Sequence, residues 1–165
     1  HGPAATPMDP RMIAWGHLSA IAARFTVQSA IFWVMMVAFA ATSSPWSLVC
    51  IPIAALASMS VAAPLMAYAA TLESEGGEFN SIQRFVIMPM FLFSGTFFEL
   101  DAMPLYLRPI GWFSPMWHGA ELARIASYGR VEPWWLTLIH LLFLVGLVVI
   151  GAILAGRSFR RRLWR

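Results

Sequence analysis

Lysine is missing from this chain: its eleven basic residues are all arginine. A nucleotide-binding P-loop needs the lysine of GxxxxGK[ST] on its phosphates, so ATP hydrolysis by that device is excluded. The arginine-only usage goes with an excess of Ala, Gly, Pro and Trp, a pattern that also fits a GC-rich coding bias. Charge of either sign is scarce, at 12% of residues, against about 25% in soluble domains. Cysteine is limited to Cys50 in an apolar run, which excludes an intrachain disulfide and leaves the redox compartment open. There is no heptad or internal repeat, and His17 has no His, Cys or acid at ligand spacing for a metal. The chain opens on His1 with no signal peptide and reads as a fragment whose upstream part is missing. What is present is apolar: 59% hydrophobic residues and a mean hydropathy of +0.69. The fold class this implies is an all-α polytopic membrane protein.

Taken in order, His1–Pro10 is an irregular, proline-containing connection, and Asp9-Pro10 suits a helix start. Met12, Ile13, Trp15, Leu18, Ile21 and Ala22 then form an apolar stripe, with Arg11, His17 and Arg24 off it. Residues 6–22 are therefore expected as an interfacial helix leading into a span. From Phe25 to Leu72 there is no charge for about 48 residues. As one helix that run would be about 70 Å long, more than twice the roughly 30 Å hydrocarbon core. It must fold back, and Thr42–Ser47, with Pro45 and the belt residue Trp46, is the turn. This predicts span a over 23–41 and span b over 47–71. The acidic loop Glu73–Glu78 follows, with Asn80 or Ser81 as cap for span c, 80–98. Within span c, Pro89 and Gly95 are expected as distortions rather than ends. Residues 99–133, rich in aromatics and prolines, suit a half-immersed re-entrant hairpin. Span d covers 134–155, with His140 as its only titratable group, placed near the Trp134-Trp135 belt, and 156–165 is a basic tail.

Five arginines in the last nine residues mark that tail as cytoplasmic. Four spans then put the N-terminal helix and the acidic loop inside, and the turn and residues 99–133 outside. About eight arginines fall inside, against Arg108, Arg124 and Arg130 outside. The high isoelectric point thus points to a membrane surface and not to nucleic acid.

Two motifs become recognisable at span c: F-N-x-x-Q-R-F-x-I-x-P-M-F-L-F-S-G-T-F-F (Phe79–Phe98) and W-F-S-P-M-W-H-G-A-E-L-A-R (Trp112–Arg124). With T-P-M-D-P-R-M-I-x-x-G-H (Thr6–His17), they resemble the ABC-2 family of ABC exporter permeases, over nearly the whole chain. The nearest branch is that of nodulation lipo-oligosaccharide and daunorubicin-type exporters. Glu99 departs from the proline or small residue common there. The resemblance implies six spans, of which spans a to d are the third to sixth, in a type V exporter-like fold. It implies a coupling helix carrying Pro10, Arg11, Trp15 and Gly16 against an ATPase. Glu73 and Glu75 of the acidic loop are candidate further contacts, with a merely solvated loop as the competing reading. It also implies outward-facing re-entrant helices that include Glu99, Pro115, His118, Glu121 and Arg124. The expected partners are two ATPase subunits, which bring ATP and magnesium, a second permease copy or paralogue, and the bilayer. No cofactor is expected in this chain itself.

An exporter of amphiphiles needs an apolar wall that can repack. Phe91 and Phe98 share one helix face and Phe93 and Phe97 another, so only one set can line a path. Phe91, Ser94, Gly95 and Phe98 are the candidate pathway residues, with plain helix packing as the competing reading for each. Glu121 and Arg124, three apart, are expected to pair. His118 and Glu121 have a catalytic-looking spacing, but no nucleophile or second acid accompanies them in the sequence. The expected task is export of a drug, glycolipid or lipid-linked glycan. A non-transporting assembly subunit and a membrane-embedded enzyme are the alternatives.

Overall fold

The computed structural model describes residues 10–72, 77–96 and 100–163. Glu73, Glu75, Phe98, Glu99 and the chain before Pro10 lie outside the described residues. Among those described the protein is all-helical, as its composition and periodicity required.

Helix α1, Pro10–Ala38, is one continuous rod, so the expected interfacial helix and span a are not separate elements. After Gly16 it holds no proline or glycine to break it, and its hydroxyls bond back onto its own carbonyls. Ser19 Oγ donates to Gly16 O at 2.9 Å and Thr26 Oγ1 to Ala22 O at 2.8 Å. Ala40, at φ 51°, reverses the chain. Ser44 Oγ then accepts from the Trp46 amide, and Pro45 opens a 3-10 turn, Pro45–Val49, that runs into α2, Cys50–Ala69. The turn sits where Ser and Pro placed it.

Among the described residues three helices are long and apolar enough to cross a membrane: Met12–Ala38, Pro45–Ala69 and Trp134–Ser158. The fourth expected span differs. Its helix begins at Gly77, before the expected caps, with α3, Gly77–Ile82. A π-helical turn, Gln83–Ile87, and α4, Met88–Leu92, complete it. The Met88 amide reaches back five residues to Gln83 O just before Pro89, the wide turn accommodating a residue that cannot donate. The run ends at Leu92, and Gly95 at φ 73° turns the chain away. Pro89 is thus an internal distortion, whereas Gly95 lies beyond the end of the helix. Gly77 to Leu92 spans about 24 Å at 1.5 Å per residue, short of a roughly 30 Å core.

The last three helices are α5, Arg108–Trp112, α6, Pro115–Tyr128, and α7, Trp134–Leu163. Helices α1, α2 and α7 build the core, where Leu18, Met59 and Ala63 are buried among Ile21, Phe25 and Val148. Contact there depends on small residues. A Cβ on Gly151 of α7 would stand 2.5 Å from the Pro64 nitrogen, so α7 lies directly on the proline of α2. Helix α6 runs back along α2. Gly119 faces Ala57, the Ala123 carbonyl faces Cys50, and the Ser127 carbonyl accepts from the Ser43 and Ser44 amides, both at 3.1 Å. One end of the bundle therefore collects the α1–α2 turn and the close of α6. The other collects the starts of α1 and the ends of α2 and α7.

Candidate functional site

Helix α6 carries a buried face of Pro115, His118, Gly119, Glu121, Leu122, Ala126 and Ser127. The spacing is helical, but half of these side chains are polar, and each polar one is committed to a neighbour. Ser114 stands at the N-cap without capping, because its Oγ donates to Met90 O at 3.2 Å, across to the broken helix. Pro115 occupies the first turn, where its missing N–H costs nothing. At the other end Gly129, at φ 69°, closes the helix with its amide on Ile125 O.

Glu121 is the hub of the charges, with only 5% of its surface exposed. Its Oε1 takes Arg124 Nη1 at 2.6 Å and its Oε2 takes Arg130 Nη1 at 2.8 Å. The expected Glu121–Arg124 pair is therefore present, and a second guanidinium joins it. Arg124 also donates through Nη2 to the carbonyl of Gly95. A Cβ on Gly95 would lie 3.0 Å from the Trp117 ring. The glycine at the end of the broken helix is thus held by Arg124 and covered by Trp117.

The two buried histidines meet next to this hub. His118 Nε2 lies 2.9 Å from the Trp112 carbonyl, and His118 Nδ1 lies 2.6 Å from His140 Nδ1. Phe143 stacks on His118, with centroids 4.1 Å apart, and Trp117 stands edge-on to both imidazoles. His140 Nε2 approaches Glu132 Oε2 at 3.7 Å, while Arg130 Nε is 3.7 Å from Glu132 Oε1. His140 is 1% exposed, covered by α6 and the connection that follows it. Burial pushes the His118 imidazole below its ordinary pKa, against a smaller opposing effect of the Trp112 carbonyl. Glu132 is pushed up, first by burial and then by the charge of Glu121, with Arg130 opposing.

These groups line a cavity of about 550 Å³ whose other walls include Leu100, Arg108, Leu136 and Ile139. The buried side-chain polar atoms left without a hydrogen bond among the described residues are Trp117 Nε1, Glu132 Oε2 and His140 Nε2. All three belong to residues of this cavity. A second cavity of about 400 Å³ lies between α1, α2 and α6, bounded by Gln28, Phe32, Trp33, Cys50 and Ser127. Among the described residues no group of three His, Cys, Asp or Glu side chains is placed to hold a metal ion.

Sequence reading placed Pro115, His118, Glu121 and Arg124 in the re-entrant segment and Gly95 among the candidate pathway residues; the structure puts the first four on or at the start of α6 and brings the Gly95 carbonyl onto Arg124. Ser94 is 2% exposed, with its Oγ on Phe91 O at 2.6 Å. Gly95 is buried beside it. Phe91 is 44% exposed on α4. Pro10 and Arg11 open α1, and Trp15 and Gly16 are exposed on it, far from this cluster along the bundle. Missed from sequence were Glu132 and His140 as members of the site. A lone histidine in an otherwise apolar helix was the available signal, and Glu132 is the second acid that seemed absent.

A family model described as ABC-2 type transporter matches residues 4–128. No curated protein and no solved structure matches the chain.

Proposed function

The chain belongs to the ABC-2 type transporter family, and so is a membrane permease component of an ABC transporter; from that premise we propose that it serves an ATP-driven exporter. The proposed substrate is hydrophobic or amphiphilic: a drug, a glycolipid or a lipid-linked glycan. ATP and magnesium act in two separate ATPase subunits, consistent with a chain that has no P-loop lysine. A second permease copy or paralogue completes the assembly in the cytoplasmic membrane.

The observation that carries the reading is the clamp on the broken helix. Helix α6 holds its end at Met90 through Ser114 and at Gly95 through Arg124. A segment with a π-turn, a proline and a left-handed glycine has weak internal support, so its position depends on α6. Releasing the clamp at one end of the bundle would free this segment to move. The opposite end, with the exposed Trp15 and Gly16 and the arginine-rich end of α7, suits the cytoplasm and the ATPases. Motion of α1 against the ATPases would then be transmitted through the α1–α2–α7 core to the clamp. Phe91 and the exposed aromatics of α1 supply apolar wall.

Reconstitution of the permease with its ATPase into liposomes tests this. Export predicts ATP hydrolysis that rises with an amphiphilic substrate and falls to its basal rate when Arg11 and Trp15 are replaced. ATPase binding without substrate-stimulated turnover would instead identify a non-transporting assembly subunit.

A further inference from the structure

We infer that Glu132 and His140 form a buried proton-binding site, holding one proton between them that fastens the α5–α6 hairpin to α7. The hydrogen-bond pattern leads to it. The Trp112 carbonyl can only accept, so His118 Nε2 carries a hydrogen. A neutral His118 then has a bare Nδ1, and the 2.6 Å contact requires His140 Nδ1 to donate to it. That leaves His140 Nε2 bare, in a residue 1% exposed, facing a Glu132 oxygen 3.7 Å away. A lone pair opposed to a carboxylate oxygen, both buried and both without a hydrogen-bond partner, is an unfavourable arrangement. One proton removes it, as Glu132–OH donating to the imidazole or as an imidazolium donating to the carboxylate.

The surrounding charges agree. From α6 come His118, Glu121 and Arg124; from the following connection, Arg130; from α5, Arg108, which lines the same cavity. Glu121 is already matched to two guanidiniums, and Arg130 reaches Glu132 only at 3.7 Å, through its other oxygen. Burial keeps His118 neutral, as the donor chain requires, and raises Glu132 toward its protonated form. The cavity gives water access to the pair for exchange. Because the docked hairpin binds one proton more than the separated one, its docking weakens by up to about tenfold per pH unit as pH rises from the separated group's ordinary value to the raised value of the docked site.

The test uses the full chain in lipid nanodiscs, with no substrate and no ATPase, so its outcome is independent of the export reading. Infrared spectroscopy and ¹⁵N-histidine NMR at neutral pH should together find one extra proton. It should be seen either as a carboxylic-acid carbonyl band that shifts in D₂O or as one buried imidazolium, lost in a single step as pH rises. Glu132→Gln, whose amide can donate to His140 Nε2, should abolish that signal. It should also keep the thermal midpoint level over the range in which the wild-type midpoint falls. A water donating to both atoms would satisfy them without a proton. A wild-type spectrum with neither signal at neutral pH would mean just that and would overturn the proposal, whether or not the variant folds. A signal that persists unchanged in Glu132→Gln would also overturn it.

Discussion

The α1–α2–α7 core and the α6 cluster are built on opposite plans within one short chain. The core cluster around Leu18, Met59 and Ala63 is apolar, and the core gains its closeness from small residues, as at Gly151 on Pro64. Lipid is as apolar as leucine, so hydrophobicity gives such helices little reason to prefer each other, and packing contact decides. The α6 cluster does the reverse. It buries Glu121, His118 and His140 and holds them with ion pairs and carbonyls contributed by the broken helix, α7 and the connection between. Packing gives the core one arrangement that is cheap to keep. The cluster has directed bonds that can be broken singly, and three of its polar atoms, Trp117 Nε1, Glu132 Oε2 and His140 Nε2, have no hydrogen bond among the described residues. On the export reading proposed above, the core would be the body that transmits motion and the cluster the latch that releases.

The largest expected effect falls on the latch. Glu121→Ala leaves Arg124 and Arg130 without their shared carboxylate in a partly buried site, and removal of one partner of such a buried pair costs about 3–5 kcal/mol. Thermal unfolding in detergent measures it. Loss of the Arg124 contact to Gly95 should also make the broken helix more open to proteolysis. In the core, Gly151→Ala forces a methyl onto the Pro64 nitrogen and the Ala63 carbonyl carbon, backbone atoms that cannot rotate away. Overpacking of this kind costs about 1–3 kcal/mol, read in the same unfolding assay, with no change in proteolysis of residues 77–96. If Glu121→Ala proves milder than Gly151→Ala, the cluster is not the latch described.

How much of this was legible in sequence follows the same division. The core was, because the run from Phe25 to Leu72 must fold once and only Thr42–Ser47 offers the chemistry to do it. Span c was legible as a distorted element but not as a short one. Hydropathy continues through Phe93 and the positive φ of Gly95 is a tertiary outcome, fixed by Trp117 and Arg124 from far along the chain. The division of α1 into an interfacial helix and a span was read from the amphipathic stripe of Met12–Ala22, whereas the helix runs unbroken through it. Glu121 with Arg124 could be seen because three residues apart is local. Their joining to Arg130, and that of His118 to His140 and Glu132, depends on where the chain returns after Gly129. No periodicity encodes that.

Titration sharpens the contrast by its shape. Glu132 has its folded value raised, so its contribution is complete below the ordinary carboxylate range and is lost as pH rises through the raised value. His118 has its folded value lowered, so its contribution is present above the ordinary imidazole range and is lost as pH falls through the lowered value. The thermal midpoint should therefore decline on both sides of an intermediate maximum. Glu132→Gln should flatten the alkaline limb and His118→Gln the acid limb. Gly151→Ala should lower the whole curve without changing its form, since no titrating group is involved in its contact.

The smallest effect on stability is expected at Trp15, and it separates the two plans most sharply. Its side chain is 63% exposed on α1, outside both the core and the cluster. Replacing it with alanine removes no buried contact, so unfolding should shift by no more than about 0.5 kcal/mol. If this end of α1 is where the ATPase engages, the same change should lower substrate-stimulated ATP hydrolysis while leaving the basal rate of the ATPase intact. Glu121→Ala should unsettle the protein and disturb transport together. An alteration at Trp15 that costs stability as well would place this end of α1 within the folded body. An alteration that changes neither property would remove Trp15 from the coupling surface and leave that role to its neighbours Arg11 and Gly16.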